Sequence, residues 1–519
     1  MASSNKQEWL EAMKTEMASL KEHKVWRLVR PEDVRGRVLN NKRVPKIKRS
    51  ANGAIDRFKA RVTVAAFASM LKQGIDFAEK YSATARWQTI LIILTVAANL
   101  DLETWLIDIK TFFLYGVLPV NEQIYMKQVE GFEEEGKEDW ICLLIKSLYG
   151  HPAASYHAGL LLKRVLTGGG FIQSRHDSCL YVLRDSKDIC FCATHVDDMP
   201  SAGNHGGLER LVKCLREVFE ITLNKNPTQL LGVCVVRDRE SRTIKLHQEP
   251  YANSIVAFYR GGGADSNIKT TPMDEGIQNA IRARHGDQVG KQGKEKEFQT
   301  MVGKLLWLFK CRYDLHLAVG FLTRLLTSAG PTEMGYGMRV ISYLASCPGK
   351  GLTLGGTGPL RLTAASDADW GADATTSKST SGGAIFLGNG GAIDCSSRLQ
   401  KKVADSTAMA ETFAAHGVTK SISFVMGVLD DMGIDVPTPI PMAVDNNAVI
   451  KQSKNAVDHQ SSKHYRIPQA VIREQVSDGV IMLLHIDGDL NPADALTKPL
   501  GYTRFVIHTD FLMMGRLHQ

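Results

Sequence analysis

The sequence predicts a multidomain chain of mixed α+β and α/β class, and three observations carry that reading. At 519 residues the chain is too long for one core, and roughly two to four domains are expected. Its 44% apolar and 23% charged residues are the proportions of ordinary globular protein, so the chain should fold throughout most of its length. Short apolar runs of strand type, several ending in a carboxylate, alternate with longer stretches at helical spacing.

The first segment, from Trp9 through Met13, Glu16 and Leu20, has helical spacing, and Trp26-Arg27-Leu28-Val29 reads as a strand after it. Between Arg35 and Arg61 stand Arg37, Lys42, Arg43, Lys46, Lys48, Arg49, Arg57 and Lys59 against the single acid Asp56. Such a run suits a polyanion, and a merely solvated basic face is the plainer alternative. The turn residues Asn52-Gly53 fold the run into a hairpin whose second arm is Phe58 to Val64. The most apolar run, Ile90 to Leu100, is too short to cross a bilayer, and no signal peptide opens the chain, so no membrane is expected. Nine cysteines without a pair of C-x-x-C modules or zinc-spaced histidines read as reduced, buried thiols.

Two apolar runs then end in acids: Leu106-Ile107-Asp108-Ile109, and Ile189 to Thr194 followed by His195-Val196-Asp197-Asp198. Adjacent carboxylates at the mouth of a buried strand repel unless a cation neutralises them. If neighbouring strands bring Asp108 to Asp197 and Asp198, the oxygen set suits Mg²⁺; read singly, an Asp-Asp pair is an ordinary turn. Pro200 just beyond predicts a bulge or an edge, because proline cannot donate to a ladder.

Leu208 to Phe219 reads as an amphipathic helix, Leu231 to Val236 and Ile244 to Gln248 as strands about the turn Arg239 to Arg242, and Tyr251 as a helix start. Gly276 to Glu297 is polar, charged and glycine-rich, and is expected as a mobile linker. Near Leu360 a further domain begins. Arg361 to Ser366 is a strand ending in Asp367-Ala368-Asp369-Trp370, and Ala384 to Leu387 with Ala392 to Ser396 form a hairpin turned at Gly388 to Gly391. A helix from Ser406 carries Glu411, with Phe413, Ala414, Val418 and Ile422 toward a core; Ile440 to Val444 delivers Asp445, and Val480 to His485 precedes Asn491-Pro492-Ala493-Asp494. Four carboxylates, Asp367, Glu411, Asp445 and Asp494, thus reach strand ends and helix starts. Two of them have a bland alternative: Asp445, like the neighbouring Asp369, as a turn acid, and Asp494 as the third residue after an Asn cap with Pro at the first helical position.

These motifs resemble the copia-type family of long-terminal-repeat retrotransposon Pol polyproteins. Trp9 to Val29 matches W-x-x-A-M-x-x-E…W-x-L-V; Asp108 to Gly116 matches D-V-x-x-A-F-L-x-G with Phe112 in place of Ala; His195 to Asp198 matches Y-V-D-D with His for Tyr; and Lys146-Ser147-Leu148-Tyr149-Gly150 matches K-x-L-Y-G. The usual L-K-Q-x-P-R-x-W after it is replaced by His151 to His157, and Gly74-Ile75-Asp76-Phe77 continues the pattern imperfectly. In the last third, Asp367 to Trp370, Ser379 to Gly382, Ser406 to Glu411, Val444 to Asn446 and Ala493 to Lys498 are similar to the family's ribonuclease H series, with Met409 where an earlier Glu is usual. Lys463-His464 matches the family's K-H.

The resemblance implies reverse transcriptase fingers and palm over 1–205, palm end and thumb over 206–275, a linker at 276–297, a helical connection at 298–358 and a ribonuclease H-like mixed-sheet domain at 359–519, the chain beginning at the polymerase near residue 8. It implies two Mg²⁺ per active site, held by Asp108, Asp197 and Asp198 in the palm and by Asp367, Glu411, Asp445 and Asp494 in the second centre. By the same resemblance Lys59 and Arg61 lie near the incoming triphosphate, Phe113 is the deoxyribose gate, and Tyr149 and Gly150 sit against template and nucleotide; a surface hairpin and a core aromatic remain the alternatives. The implied activity is RNA-directed DNA polymerisation with cleavage of RNA:DNA hybrids. RNA template, DNA primer and dNTPs are the implied partners, with a homo- or hetero-oligomer of element products left open, and the implied location is intracellular, in a cytoplasmic particle or the nucleus. The alternative is a decayed or repurposed copy that binds nucleic acid without catalysis; the substitutions at Phe112, His151 to His157, His195, Pro200 and Met409 point to it, and the retention of all seven acids argues against it. A strand-transfer enzyme on the ribonuclease H fold predicts three acids and no polymerase half.

Overall fold

In the computed structural model, residues 5–49, 55–65, 84–151, 153–261, 268–283, 293–373, 376–454 and 465–515 are described. Asn52-Gly53, Gly74 to Phe77, Pro152 and Lys463-His464 lie outside them.

The N-terminal helix Lys6–Glu22 buries Met13, Met17 and Leu20 against the antiparallel ribbon Asn41–Arg49/Ile55–Val64, whose alternate residues Ala60, Val62 and Val64 complete that small core. Period-two alternation leaves Lys59 and Arg61 on the opposite face. Next to it is a sheet in the order Trp26–Val29, Ile141–Leu144, Tyr125–Lys127, Val38–Leu39.

The second unit is a six-stranded antiparallel sheet in the order Ile221–Lys225, Glu103–Ile109, Asp198–Gly203, Ile189–Ala193, Leu180–Arg184, Ile172–Gln173. Helices Ala154–Gly168 and His205–Arg216 cover one face through Leu162, Leu166, Leu208, Leu211 and Leu215. Asn204 caps the second helix by accepting from Gly207 N at 2.9 Å. Pro200 is not at an edge. It lies on an internal strand opposite Leu106, and the ladder to the neighbouring strand is interrupted there, between the Cys192–Ser201 pair and the isolated His195–Asp198 bridge. A missing N–H is tolerated because no ladder bond is required of that residue.

Helix Trp87–Asn99 is buried from Thr89 through Ala98. It is apolar all round because it is covered all round: one core runs from the palm sheet, through Ile90 to Val96, into Leu362, Ile385, Leu387 and Ile393 of the C-terminal domain.

Beyond the palm, Gln229–Leu230, Val233–Asp238 and Thr243–His247 pair antiparallel, and Gly351–Gly355 returns after the helices to add a fourth strand. The stretch expected as a linker instead opens with helix Glu275–Ala283, which buries Ile277 and Gln278. Helices Glu249–Arg260, Glu295–Leu306, His316–Thr323 and Pro331–Ser346 pack about Phe298, Leu305, Phe321 and Ile341.

The C-terminal sheet runs Ala392–Leu399, Lys378–Leu387, Leu362–Asp373, Ile440–Val444, Ile481–His485. Its first three strands are antiparallel and the last two parallel to the central one, the ribonuclease H topology. Helix Thr407–Asp431 crosses it, capped by Ser406, whose hydroxyl accepts from Met409 N at 3.2 Å.

Candidate catalytic centres

Asp108 and Asp198 are direct partners across adjacent antiparallel strands, so their side chains project from the same face. The turn between the two hairpin strands is tight: Val196 has φ +63°, His195 N donates to Asp198 O at 2.8 Å, and Ile109 N donates to Asp197 O at 2.9 Å. That last bond pins the acidic turn to the Asp108 strand. All three acids are half-buried. His195, in the place of the usual Tyr, has its pKa lowered by burial and by Lys310, so it is neutral imidazole at physiological pH.

The residues expected around a nucleotide converge beside these acids. The Arg61 guanidinium lies 4.8 Å over the Tyr149 ring, and Tyr149 meets Phe113 edge-on with centroids 5.7 Å apart. Burial, with Glu16 and Asp197 nearby, pushes the Tyr149 hydroxyl up to about 12, so it stays protonated. Gly150 has φ +86°, and a Cβ there would stand 2.7 Å from Val64 O, while Val64 N donates to Tyr149 O at 2.8 Å. The glycine of this loop is therefore a packing requirement between palm and ribbon. Phe112 is core, buried against Phe219. In the divergent segment, His157 on helix Ala154–Gly168 pairs through Nε2 with the buried Glu122 at 2.8 Å, a structural contact.

In the C-terminal domain Asp367, Asp445 and Asp494 each place a carboxylate oxygen within 4.8 Å of the others, the one such three-acid group among the described residues. Asp367 is fully buried on the central strand, Asp445 follows the parallel strand Ile440–Val444, and Asp494 rides on the 3-10 turn Pro492–Leu496. The cap reading of this turn is correct and incomplete. Asn491 accepts from Ala493 N at 3.1 Å and also donates to Ser366 O at 2.9 Å, which ties the turn to the Asp367 strand. Glu411 accepts from Ala368 N at 3.2 Å through Oε1, and its buried Oε2 has no hydrogen-bond partner among the described residues. Burial, reinforced by Asp367 and Asp445, raises Glu411 to about 9; burial and Asp367 raise Asp494 to about 7, and the same causes raise Asp445. A crowded, all-oxygen set with an orphaned buried carboxylate oxygen is the donor chemistry of a hard divalent cation.

Three residues of this centre carry no role in the sequence reading. Lys498 Nζ contacts Asp494 Oδ1 at 3.0 Å and Asp367 Oδ1 at 3.3 Å, Arg504 Nη2 contacts Asp494 Oδ2 at 2.8 Å, and the Thr497 hydroxyl donates to Asp367 Oδ2. The spacing of Asp494 and Lys498, four apart, was the available signal. Asp369 is outside the cluster and accepts from Gln278 at 3.3 Å.

Sheet order and acid placement together define a polymerase palm with a ribonuclease H-like domain packed on its back. Residues 23–275, just under half of the chain, match the reverse transcriptase (RNA-dependent DNA polymerase) family. Over nearly its whole length the chain is related to retrotransposon Pol polyproteins. It is 32% identical over 98% of its residues to the retrovirus-related Pol polyprotein from transposon TNT 1-94 of Nicotiana tabacum, and 28% identical over 96% to that from transposon RE2 of Arabidopsis thaliana. It spans 38% and 33% of the length of these relatives. In fold it is similar to a foamy viral protease-reverse transcriptase solved with double-stranded DNA, with a TM-score of 0.52 and 13% identity over 93% of this chain and 83% of that one.

Proposed function

We propose that the chain is an RNA-directed DNA polymerase that also cleaves the RNA strand of RNA:DNA hybrids. The observation that carries this reading is that acids remote in sequence meet at two separate places in one chain, Asp108 against Asp198 and Asp367 with Asp445 and Asp494. In the palm, Asp108, Asp197 and Asp198 would hold Mg²⁺; in the second centre Asp367, Glu411, Asp445 and Asp494 would. When bound, such ions supply a nucleophile at neutral pH and offset charge on the phosphate.

The chain's own residues do the rest. Arg61 and Lys59 on the ribbon face place positive charge toward a triphosphate, and the half-buried Phe113 ring, braced by Tyr149, forms a floor whose bulk disfavours a 2′-hydroxyl. The basic ribbon binds nucleic acid through phosphates, without sequence reading. In the second centre Thr497, Asn491 and Arg504 orient the acids that receive the cation. RNA template, DNA primer, dNTPs, assembly with other element products and an intracellular, particle-associated location belong to the same proposal.

Extension of a DNA primer on an RNA template with Mg²⁺ tests the palm: incorporation by the wild type and none by Asp197→Asn is expected. Cleavage of a labelled hybrid, lost in Asp445→Asn, tests the second centre. Background activity in both wild-type assays would instead favour a decayed copy that binds without catalysing. That second reading has one observation behind it, the segment after Gly150, where the Gln and Arg of the usual pattern are absent and His157 serves a structural pair with Glu122.

A further inference from the structure

The C-terminal acids already carry a cation of the chain's own. Lys498 reaches them from the end of the turn Pro492–Leu496, and each of its two partners has its other oxygen engaged: Asp494 Oδ2 by Arg504 at 2.8 Å, and Asp367 Oδ2 by the Thr497 hydroxyl. The oxygens that remain to these two acids are the ones that hold Lys498, Asp494 Oδ1 at 3.0 Å and Asp367 Oδ1 at 3.3 Å. One ammonium does not satisfy the group, since Glu411 Oε2 stays buried and unpartnered beside it. Lysine is suited to a reversible contact. Its charge sits on a flexible four-carbon stem, and the side chain is 36% exposed here, so a path to solvent is open. Arg504, bonded to Asp494 Oδ2 and paired on its other side with Asp489 at 2.9 Å, is the fixed member of the two.

We infer that Lys498 is a tethered counter-ion of the second centre, which a divalent cation must displace from Asp367 and Asp494 in order to bind. Lys498 is thus a positioning residue that sets metal affinity: it holds the repelling acids together until the divalent ion takes over, and it weakens that ion's binding by competing for the same oxygens. This rests on the reading of the cluster as a metal site and not on hybrid cleavage.

Calorimetric titration with Mn²⁺ tests it, using the full chain in an Asp108→Asn, Asp197→Asn background so that the palm acids do not contribute. Lys498→Met should bind Mn²⁺ about tenfold more tightly than this parent, equivalent to ~1.4 kcal/mol, and should unfold at lower temperature in chelator. Equal or weaker binding by Lys498→Met overturns the inference. Should that variant not fold, amine-directed covalent labelling of the parent gives the answer without it: labelling of Lys498 should rise on adding Mn²⁺, and no rise overturns the inference. A parent that binds Mn²⁺, with binding lost in Asp445→Asn, supports the metal site even if the wild-type chain cuts no hybrid, a result that would sink only the proposed activity.

Discussion

Two single residues show the two ways in which function and stability are related in this chain. Glu411 is buried among acids, and its pKa is raised from the ordinary carboxylate range to about 9. With the folded pKa above the unfolded one, the unfolded chain releases this proton first, so stability falls as pH rises from about 4.5 toward 9. Glu411→Gln should therefore raise the unfolding free energy at neutral pH in chelator, by on the order of 1–2 kcal/mol, while abolishing hybrid cleavage. Thermal melts of the two proteins at pH 5 and pH 8 check the sign: the gap should widen at the higher pH. Gly150 is the opposite case, a residue that serves folding and site alike. At φ +86° and with Val64 O in the way, Gly150→Ala should cost ~1–3 kcal/mol and raise the KM for dNTP, because Tyr149 moves with it.

At the scale of elements, helix Trp87–Asn99 holds two regions together, and a buried ion pair braces the helical connection. Ile92 is fully buried in the core shared by palm and C-terminal domain. Ile92→Ala should cost ~2–5 kcal/mol and should lower the unfolding midpoint of both regions together, seen as one cooperative transition by hydrogen exchange. Two transitions, with only the palm destabilised, would refute a common core. In the connection, Arg312 and Asp314 form a buried pair 2.8 Å apart, and the Tyr343 hydroxyl donates to the same Asp314 oxygen at 2.7 Å. Burial alone would raise Asp314; Arg312, with help from Lys350 and Tyr343, holds it at about 2. The stability this depressed pKa contributes is present above the ordinary carboxylate value and is lost as pH falls through about 2. Arg312→Met, which leaves the acid buried and unpaired, should cost ~3–5 kcal/mol in denaturant unfolding at pH 7.

Across the whole molecule, the relation of the two centres is set by a polar clasp as well as by the shared core. Asp431, at the end of the long C-terminal-domain helix, accepts from the Ser174 hydroxyl at 2.7 Å and from Arg175 N and Nε at 2.9 Å, and contacts His176 Nδ1 at 2.9 Å. Arg86 lies 4.2 Å over Phe424 on the same helix, and a Cβ at Gly427 would strike His176, so the approach is close. Asp431→Ala should leave primer extension near wild type but broaden the spacing between the primer end and the cut in the RNA, read on a sequencing gel; an unchanged, single spacing would show that the apolar core alone fixes it. The sequence by itself determined the acid-bearing strands and the order of the acids, because strand periodicity, turn chemistry and carboxylates at strand ends are local signals that survive without coordinates, and its motifs carried the resemblance to the family. It marked Asp108, Asp197, Asp198, Asp367, Glu411, Asp445 and Asp494 for the same reason. Only the tertiary structure decided that Ile90 to Val96 is covered on every side, that the stretch after Gly276 begins as a helix, that Pro200 stands inside a sheet, and that Lys498 reaches the acid cluster. Those outcomes depend on what packs opposite a residue, and burial, pairing and pKa are properties of neighbours that lie far away along the chain.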